Sequence, residues 1–326
     1  MTALKKLAAI LLLTTAATGF TLSDTAIIQR RSDVVINQLY HVLQQHPHSN
    51  MAVRLDIISA SFLGKPYLLG PLGEGENGRY DQSPLYRTDA FDCDTFVNTV
   101  LAIALAKNQE SFPSCLSKLR YQHGKIDFTT RNHFMAIDWN VSNQQQGFLK
   151  DITTTLKVNG MPVAQIARAK INKPSWYNHF TTSNIKLLTG NEEEKAKRLA
   201  ELKKIGGRLP IQTDIVPYIP LTTLFDKEGT PNKDLFAQIP NAAIIQIVRP
   251  NWDLQNKIGT HLNISHLGFA FWKNGTLFFR QASSQHGKVV ESPLIDYLKN
   301  VLNSPTIKGI NIEIVLPKDV ADSMCS

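Results

Sequence analysis

The sequence predicts an α+β fold in which helices come first and an antiparallel sheet follows, on three observations. Apolar residues recur at helical spacing over the first part of the chain, and strand-like runs cluster towards its end. Two of those runs flank Lys273-Asn274-Gly275, and an Asn-Gly pair suits the left-handed backbone of a tight hairpin turn. The 326 residues are 43% hydrophobic, enough to bury a large core in one elaborated domain or two smaller ones. Only 19% are charged and no long block of like charge occurs, which excludes a wholly disordered chain.

Residues 1–23 are expected to be a secretory signal. Lys5 and Lys6 form a short positive region, Leu7 to Ala17 is apolar, and small residues follow. Thr14, Thr15, Thr18 and Gly19 weaken the run short of the roughly 20 apolar residues that a membrane span needs. The expectation is therefore an exported chain, 24–326, in the periplasm or outside the cell, with no stable membrane insertion once the leader is removed. Losing Lys5 and Lys6 lowers the formal charge from +8 to +6. That balance suits an anionic polymer such as a cell wall, and lysines scattered for solubility give the same sum. No Lys/Arg run is interleaved with aromatics as nucleic-acid binding requires.

Asp24 to Gln45 reads as a helix with Ile27, Ile28, Val34, Val35, Leu39, Val42 and Leu43 on one stripe, stopped by Pro47. Asn50 is placed to cap a second helix with Val53, Ile57, Ile58 and Phe62 inward and Gly64 at its end. A Gly-rich extended stretch leads to an apolar helix from Cys93 to about Lys107, and a shorter helix covers Phe112 to Arg120. From Gly124 to about Pro240 the pattern is mixed, with a Lys/Glu-rich helix around Glu192 to Lys204 and prolines at 210, 217 and 220. This segment reads as an insertion or lateral subdomain. AAIIQIV is a buried strand, ISHLGFAFW and TLFFRQAS are the hairpin arms, Ser292 to Val301 is a helix, and INIEIVL is the last strand.

The cysteines are Cys93, Cys115 and Cys325, an odd number that leaves a thiol over in an exported chain. Cys115 and Cys325 are open to two readings, a disulfide or two free thiols. In FDCDTF, Asp92 stands at the N-cap position and Cys93 in the first helical turn. Unpaired backbone N–H groups and the positive end of the helix then face the sulfur, which lowers a thiol pKa. A backbone N–H there also has the place of an oxyanion donor. The plainer reading is a small buried apolar cysteine, against which stand the flanking Asp92 and Asp94.

A cysteine nucleophile needs a base, and the base needs an orienting group. His41, His46 and His48 lie on or just after the first helix, where solvent is expected, and His123 and His133 lie in the loop-rich region. His266 sits inside a strand between apolar neighbours, where a polar residue calls for a specific hydrogen bond. Across the hairpin, the Gln281 amide oxygen has the right place to accept from one ring nitrogen and fix the tautomer. Gln281 also reads as a merely half-exposed sheet residue. There is no H-E-x-x-H, no C-x-x-C and no phosphate-cradling Gly loop, so no metal or organic cofactor is expected.

Three segments, in this order, resemble the NlpC/P60 papain-like cysteine peptidase superfamily. GKPYLLG resembles its Gly-x-Pro-Tyr-x-x-Gly segment, FDCDTFV its Asp-Cys-Ser-Gly-Phe-Val helix start, and HLGFAFWKNGTLFFRQAS its His-Val-Gly-Ile strand and hairpin. YRTDAFDCDTFVNTVLAIAL, RNHFMAIDW and SHLGF are similar, more narrowly, to its N-acetylmuramoyl-L-alanine amidase-like branch (the DUF1460 group). The resemblance implies a papain-like fold of N-terminal helices packed on an antiparallel sheet, with a large insertion, about 124–240, between the nucleophile helix and the histidine strand. It implies Cys93 as nucleophile, His266 as general base and Gln281 as orienter, where many relatives carry a second histidine. Tyr67, Asp92, Arg131 and His133 are the implied oxyanion and substrate-binding set, although His133 also reads as a satisfied loop histidine. Asp94 and Thr95 depart from the family pattern. The implied activity is hydrolysis of the amide between N-acetylmuramic acid and L-Ala, with peptidoglycan or its muropeptides as the partner. Cleavage between D-Glu and the diamino acid of the stem peptide, or wall binding without catalysis, are the alternatives.

Overall fold

The computed structural model describes residues 23–316 and Cys325, so the expected leader lies outside the described residues except for Ser23. Helix α1 (Asp24–Gln44) begins at Ser23, whose hydroxyl accepts from the Ala26 N–H at 3.1 Å. Its buried face carries Ile36, Leu39, Tyr40 and Leu43, while Val34 and Val42 are exposed. The stripe is thus rotated from the sequence reading. Tyr40 turns inward because its hydroxyl reaches the Ile103 carbonyl at 3.2 Å. Helix α2 (Met51–Ala60) is capped by Asn50 and buries Leu55 and Ile58, with Phe62 buried just beyond it. Val53, expected inward, is exposed. Gly64 follows with φ at 81°, a left-handed conformation that glycine adopts without a Cβ penalty.

Helix α3 (Cys93–Leu105) is apolar all round because it is buried all round. It packs against α2 and against α4 (Phe112–Arg120). Cys115 on α4 forms a disulfide with Cys325, which settles the open pairing and leaves Cys93 free. Among the described residues, no helix is long and apolar enough to cross a membrane.

The strands are β1 (Leu149–Asp151), β2 (Lys157–Val158), β3 (Met161–Pro162), β4 (Gln165–Asn172), β5 (Ile211–Pro220), β6 (Ala243–Asp253), β7 (His261–Lys273), β8 (Thr276–Ser283), β9 (Lys288–Pro293) and β10 (Gly309–Val315). Eight of them form one antiparallel sheet in the order β4-β5-β10-β6-β7-β8-β9, with β1 beside β10; β2 and β3 pair separately. Side chains alternate across it. Ile244, Leu267, Phe269, Phe271, Ala282 and Val289 meet the helices through Phe96, Val97 and Val100. The opposite face, with Ala243, Ile245, Ile247, Ala270, Phe279 and Ile312, is covered by Leu224, Phe236, Leu294 and Leu298. Burial of both faces is why AAIIQIV is a continuous apolar run.

Two expectations are corrected here. The segment 124–240 is not wholly lateral: it supplies β1, β4 and β5 to the central sheet, beside a small cluster of its own around Phe128, Tyr177, Ile185 and Leu202. Strand β10 pairs with β5 only at Gly309 and Ile310, so Pro217 lies beyond that short ladder, while Pro220 is the last residue of β5. The helix expected from Ser292 begins instead at Leu294, because Ser292 pairs with Phe279 in the sheet.

Candidate active site

The nucleophile candidate is held at the junction of helix and sheet. The Phe91 N–H donates to the Pro66 carbonyl and the Leu68 N–H to the Phe91 carbonyl, so the chain at Tyr67 runs beside the start of α3. Asp92 then caps the helix. Its Oδ1 accepts from the Thr95 N–H at 2.8 Å, its Oδ2 from the Gly70 N–H at 3.0 Å, and the Thr95 hydroxyl accepts from the Asp92 N–H at 3.0 Å. This closed capping box fixes Cys93 in the first turn. Asp92 also lines the cleft beside Cys93, with its carboxylate accepting from the Gly70 and Thr95 N–H groups and from the Thr95 hydroxyl.

Cys93 opens onto a cleft of about 260 Å3 whose lining includes Asp94, Arg120, Arg131, His133, Ser265 and His266. Cys93, His266, Arg131 and His133 are therefore brought to one cavity, as the sequence implied. Gln281 lies behind the ring, and His266 Nε2 is hydrogen-bonded to its amide oxygen. That bond makes Nε2 the protonated nitrogen and leaves Nδ1 for the thiol. Among the described residues, the thiol and the ring are not hydrogen-bonded to each other. The contact with Gln281 depends on Gly268, one side-chain period along β7: a Cβ there would stand 2.5 Å from the Arg280 carbonyl oxygen and 3.0 Å from the Gln281 Cβ.

Tyr67 packs with Cys93 on the helical core, and its hydroxyl pKa is pushed up to about 12, chiefly by burial, with Cys93 and Asp92 beside it adding to the effect. It stays protonated and able to donate. Arg131 is gripped by Glu74, at 2.8 Å from Nε, and lies 4.8 Å from the Phe128 ring centroid. His133 donates from Nε2 to the Phe128 carbonyl at 2.7 Å and packs between Phe128 and Trp176. Burial, with Arg131 beside it, holds its pKa well below the usual range, so it is neutral. His133 is thus both a satisfied loop histidine and a wall of the cleft.

The shift at Cys93 runs opposite to the one that the helix start predicts. Burial pushes the Cys93 pKa up, and the Asp92 and Asp94 carboxylates push the same way; the Leu267 and Asp94 N–H groups oppose them and lose. His266 is lowered to about 4, chiefly by burial, with Gln281 opposing. The resting pair is neutral thiol and neutral imidazole. Asp94 is raised to about 7 by burial and then by Asp92, while Arg120 and Arg131 pull it down. Sequence reasoning did not place Asp94 or Arg120 in the cleft. Adjacency to the nucleophile was the available signal for Asp94; Arg120 carries none.

The profile of the N-acetylmuramoyl-L-alanine amidase-like family, AmiA-like, matches residues 57–307. The chain belongs to that family. A solved structure from Legionella pneumophila, assigned to DUF1460, is 55% identical with a TM-score of 0.87, over 90% of this chain and 97% of that one. An N-acetylmuramoyl-L-alanine amidase from Bacteroides uniformis is 26% identical with a TM-score of 0.57, over 82% of this chain and 99% of its own. A search of curated proteins gave no match. The amidase-like profile spans every predicted site residue from Tyr67 to Gln281.

Proposed function

We propose that this amidase-like chain is a papain-like cysteine amidohydrolase of the NlpC/P60 type that cuts the amide between N-acetylmuramic acid and L-Ala in peptidoglycan. The observation that carries the chemistry is Cys93 at a helix start sharing one cleft with His266, whose Nε2 is held by Gln281. The choice of bond follows the names of the family and of the Bacteroides uniformis neighbour.

In this reading, His266 Nδ1 takes the thiol proton as sulfur bonds to the amide carbon and the carbonyl oxygen gains the negative charge. The oxyanion meets the backbone N–H of Cys93, which lies in the first turn where no helical acceptor exists, and the Tyr67 hydroxyl. The imidazolium gives its proton to the leaving nitrogen as the C–N bond breaks, leaving a thioester. Water, deprotonated by the same ring, attacks the thioester, the C–S bond breaks, and the thiol regains its proton. Because the resting pair is neutral, proton transfer accompanies attack instead of preceding it.

Export belongs to the same proposal. The leader supports it, and so does the Cys115–Cys325 disulfide, which suits an oxidising compartment.

Digestion of purified sacculi, followed by mass spectrometry, tests the bond. The expected products are intact stem peptides with a free L-Ala amine, absent with Cys93→Ala. Fragments beginning at the diamino acid would assign the endopeptidase reading instead. Undiminished biological effect of Cys93→Ala would assign wall binding without catalysis.

A further inference from the structure

Beyond the imidazole lies a second cavity of about 360 Å3, and Ser265 and His266 line both. The two differ in what else they contain: Cys93 lines the first, whereas Gln281, Ser283, Tyr297 and Arg249 line the second. Arg249 is fixed from three directions. Its guanidinium carbon lies 4.3 Å from the Trp252 ring centroid, Nε donates to the Ser265 hydroxyl at 3.1 Å, and Nη1 donates to the Thr306 hydroxyl at 2.8 Å.

All three partners are uncharged. Arg131 meets Glu74 and Asp81, and Arg280 meets Asp56 and Glu291, but among the described residues Arg249 has no ion-pair partner. A half-buried guanidinium stacked on an indole, with its fork already oriented and no counter-ion, is suited to binding a planar anion from outside the chain.

The chemistry says which part of a substrate arrives there. An imidazole that protonates the leaving nitrogen must face that nitrogen, so the amine-side fragment departs over His266, away from the thiol. The second cavity shares Ser265 and His266 with the cleft, so it is a space beside the ring open to the groups that follow.

We propose that Arg249 binds a carboxylate on the amine-side fragment, the free α-carboxylate of the acidic residue that follows L-Ala in the stem peptide. This rests on the amidase reading, which makes L-Ala-D-Glu the start of that fragment. Arg249 also helps burial to hold the imidazole below its usual range, so a bound carboxylate would make the ring a better base as substrate docks.

Calorimetry on the Cys93→Ala protein tests binding without turnover. The probes are L-Ala-D-Glu and L-Ala-D-isoglutamine, which differ only in having the α-carboxylate free or amidated. The acid is expected to bind about tenfold or more tightly, as a charge-assisted hydrogen-bonded pair allows. Arg249→Met in the same background removes the difference while keeping the affinity for the amidated peptide. Arg249→Lys, which keeps charge and loses the fork, retains part of it. Equal binding of acid and amide to Cys93→Ala, or a ratio that Arg249→Met leaves unchanged, overturns the proposal. Product analysis with the wild-type enzyme is a separate reading. If it releases the stem peptide while binding ignores Arg249, only the carboxylate site fails; if binding depends on Arg249 and nothing is released, only the amidase reading fails.

Discussion

At Cys93 two influences compete. The helix start and the Leu267 N–H favour the thiolate, whereas burial and two carboxylates favour the thiol and prevail. Iodoacetamide should therefore label resting Cys93 at pH 7 more slowly than a free cysteine peptide, and Asp94→Asn, by removing one carboxylate, should speed labelling. The base must be neutral to accept the proton. Its folded pKa of about 4 then places the acid limb of kcat/KM near pH 4, with activity rising above it and holding through neutrality. A rate-pH profile with an acid limb at 6.5 or higher would contradict the neutral pair. The trio of Cys93, His266 and Gln281 was legible because each residue sat at a distinctive place: a helix start, a strand interior, and the opposite hairpin arm. The charge state was not, because burial is a property of the whole chain. Arg249 was hidden for the same reason: an arginine that follows an apolar run within β6 shows its missing counter-ion only once the fold closes around it.

The hairpin of β7 and β8 is the element that brings His266 and Gln281 into hydrogen-bond contact, as the proposed base and orienter require. Its turn was readable from Asn274 and Gly275, whose φ values of 48° and 77° are what the Asn-Gly pair supplies. The helix expected over Phe112 to Arg120 has those bounds in the structure. The register of α1 was not readable, since Val34 and Val42 are as apolar as the residues that replaced them, and only the Ile103 carbonyl decides for Tyr40. Gly268 tests the hairpin's role. Gly268→Ala should destabilise the fold by about 1–3 kcal/mol through overpacking and lower kcat further than that loss of folded protein explains, because it pushes Gln281 off the ring. Thermal melts beside kcat at a temperature where the variant is fully folded separate the two effects.

Across the whole molecule, the segment 124–240 could not be placed from sequence because its strands pair with partners far along the chain: Asp151 with Glu313, and Pro220 with Gly309. One consequence of that long-range pairing is electrostatic. Burial, with Asp151 alongside, raises Glu313 to about 8 while Gln144 donates to it at 2.7 Å. The unfolded chain ionises this group near 4.5 and the folded chain does not, so the wild-type loses stability as pH rises from about 4.5 to about 8. Glu313→Gln should thus raise Tm relative to wild type by a margin that grows over that window and is smallest below it. The disulfide has a different consequence, in the order of synthesis. Cys93 and Cys115 emerge early and close together, while Cys325 follows 210 residues after Cys115. A short loop closes at less entropic cost than a long one, so the first disulfide favoured by chance is the one that consumes the nucleophile. A chain oxidised as it emerges would reach its mature pairing through thiol exchange that returns Cys93 to the free state. If the chain is exported as proposed, its maturation would call on a reshuffling catalyst as well as on folding.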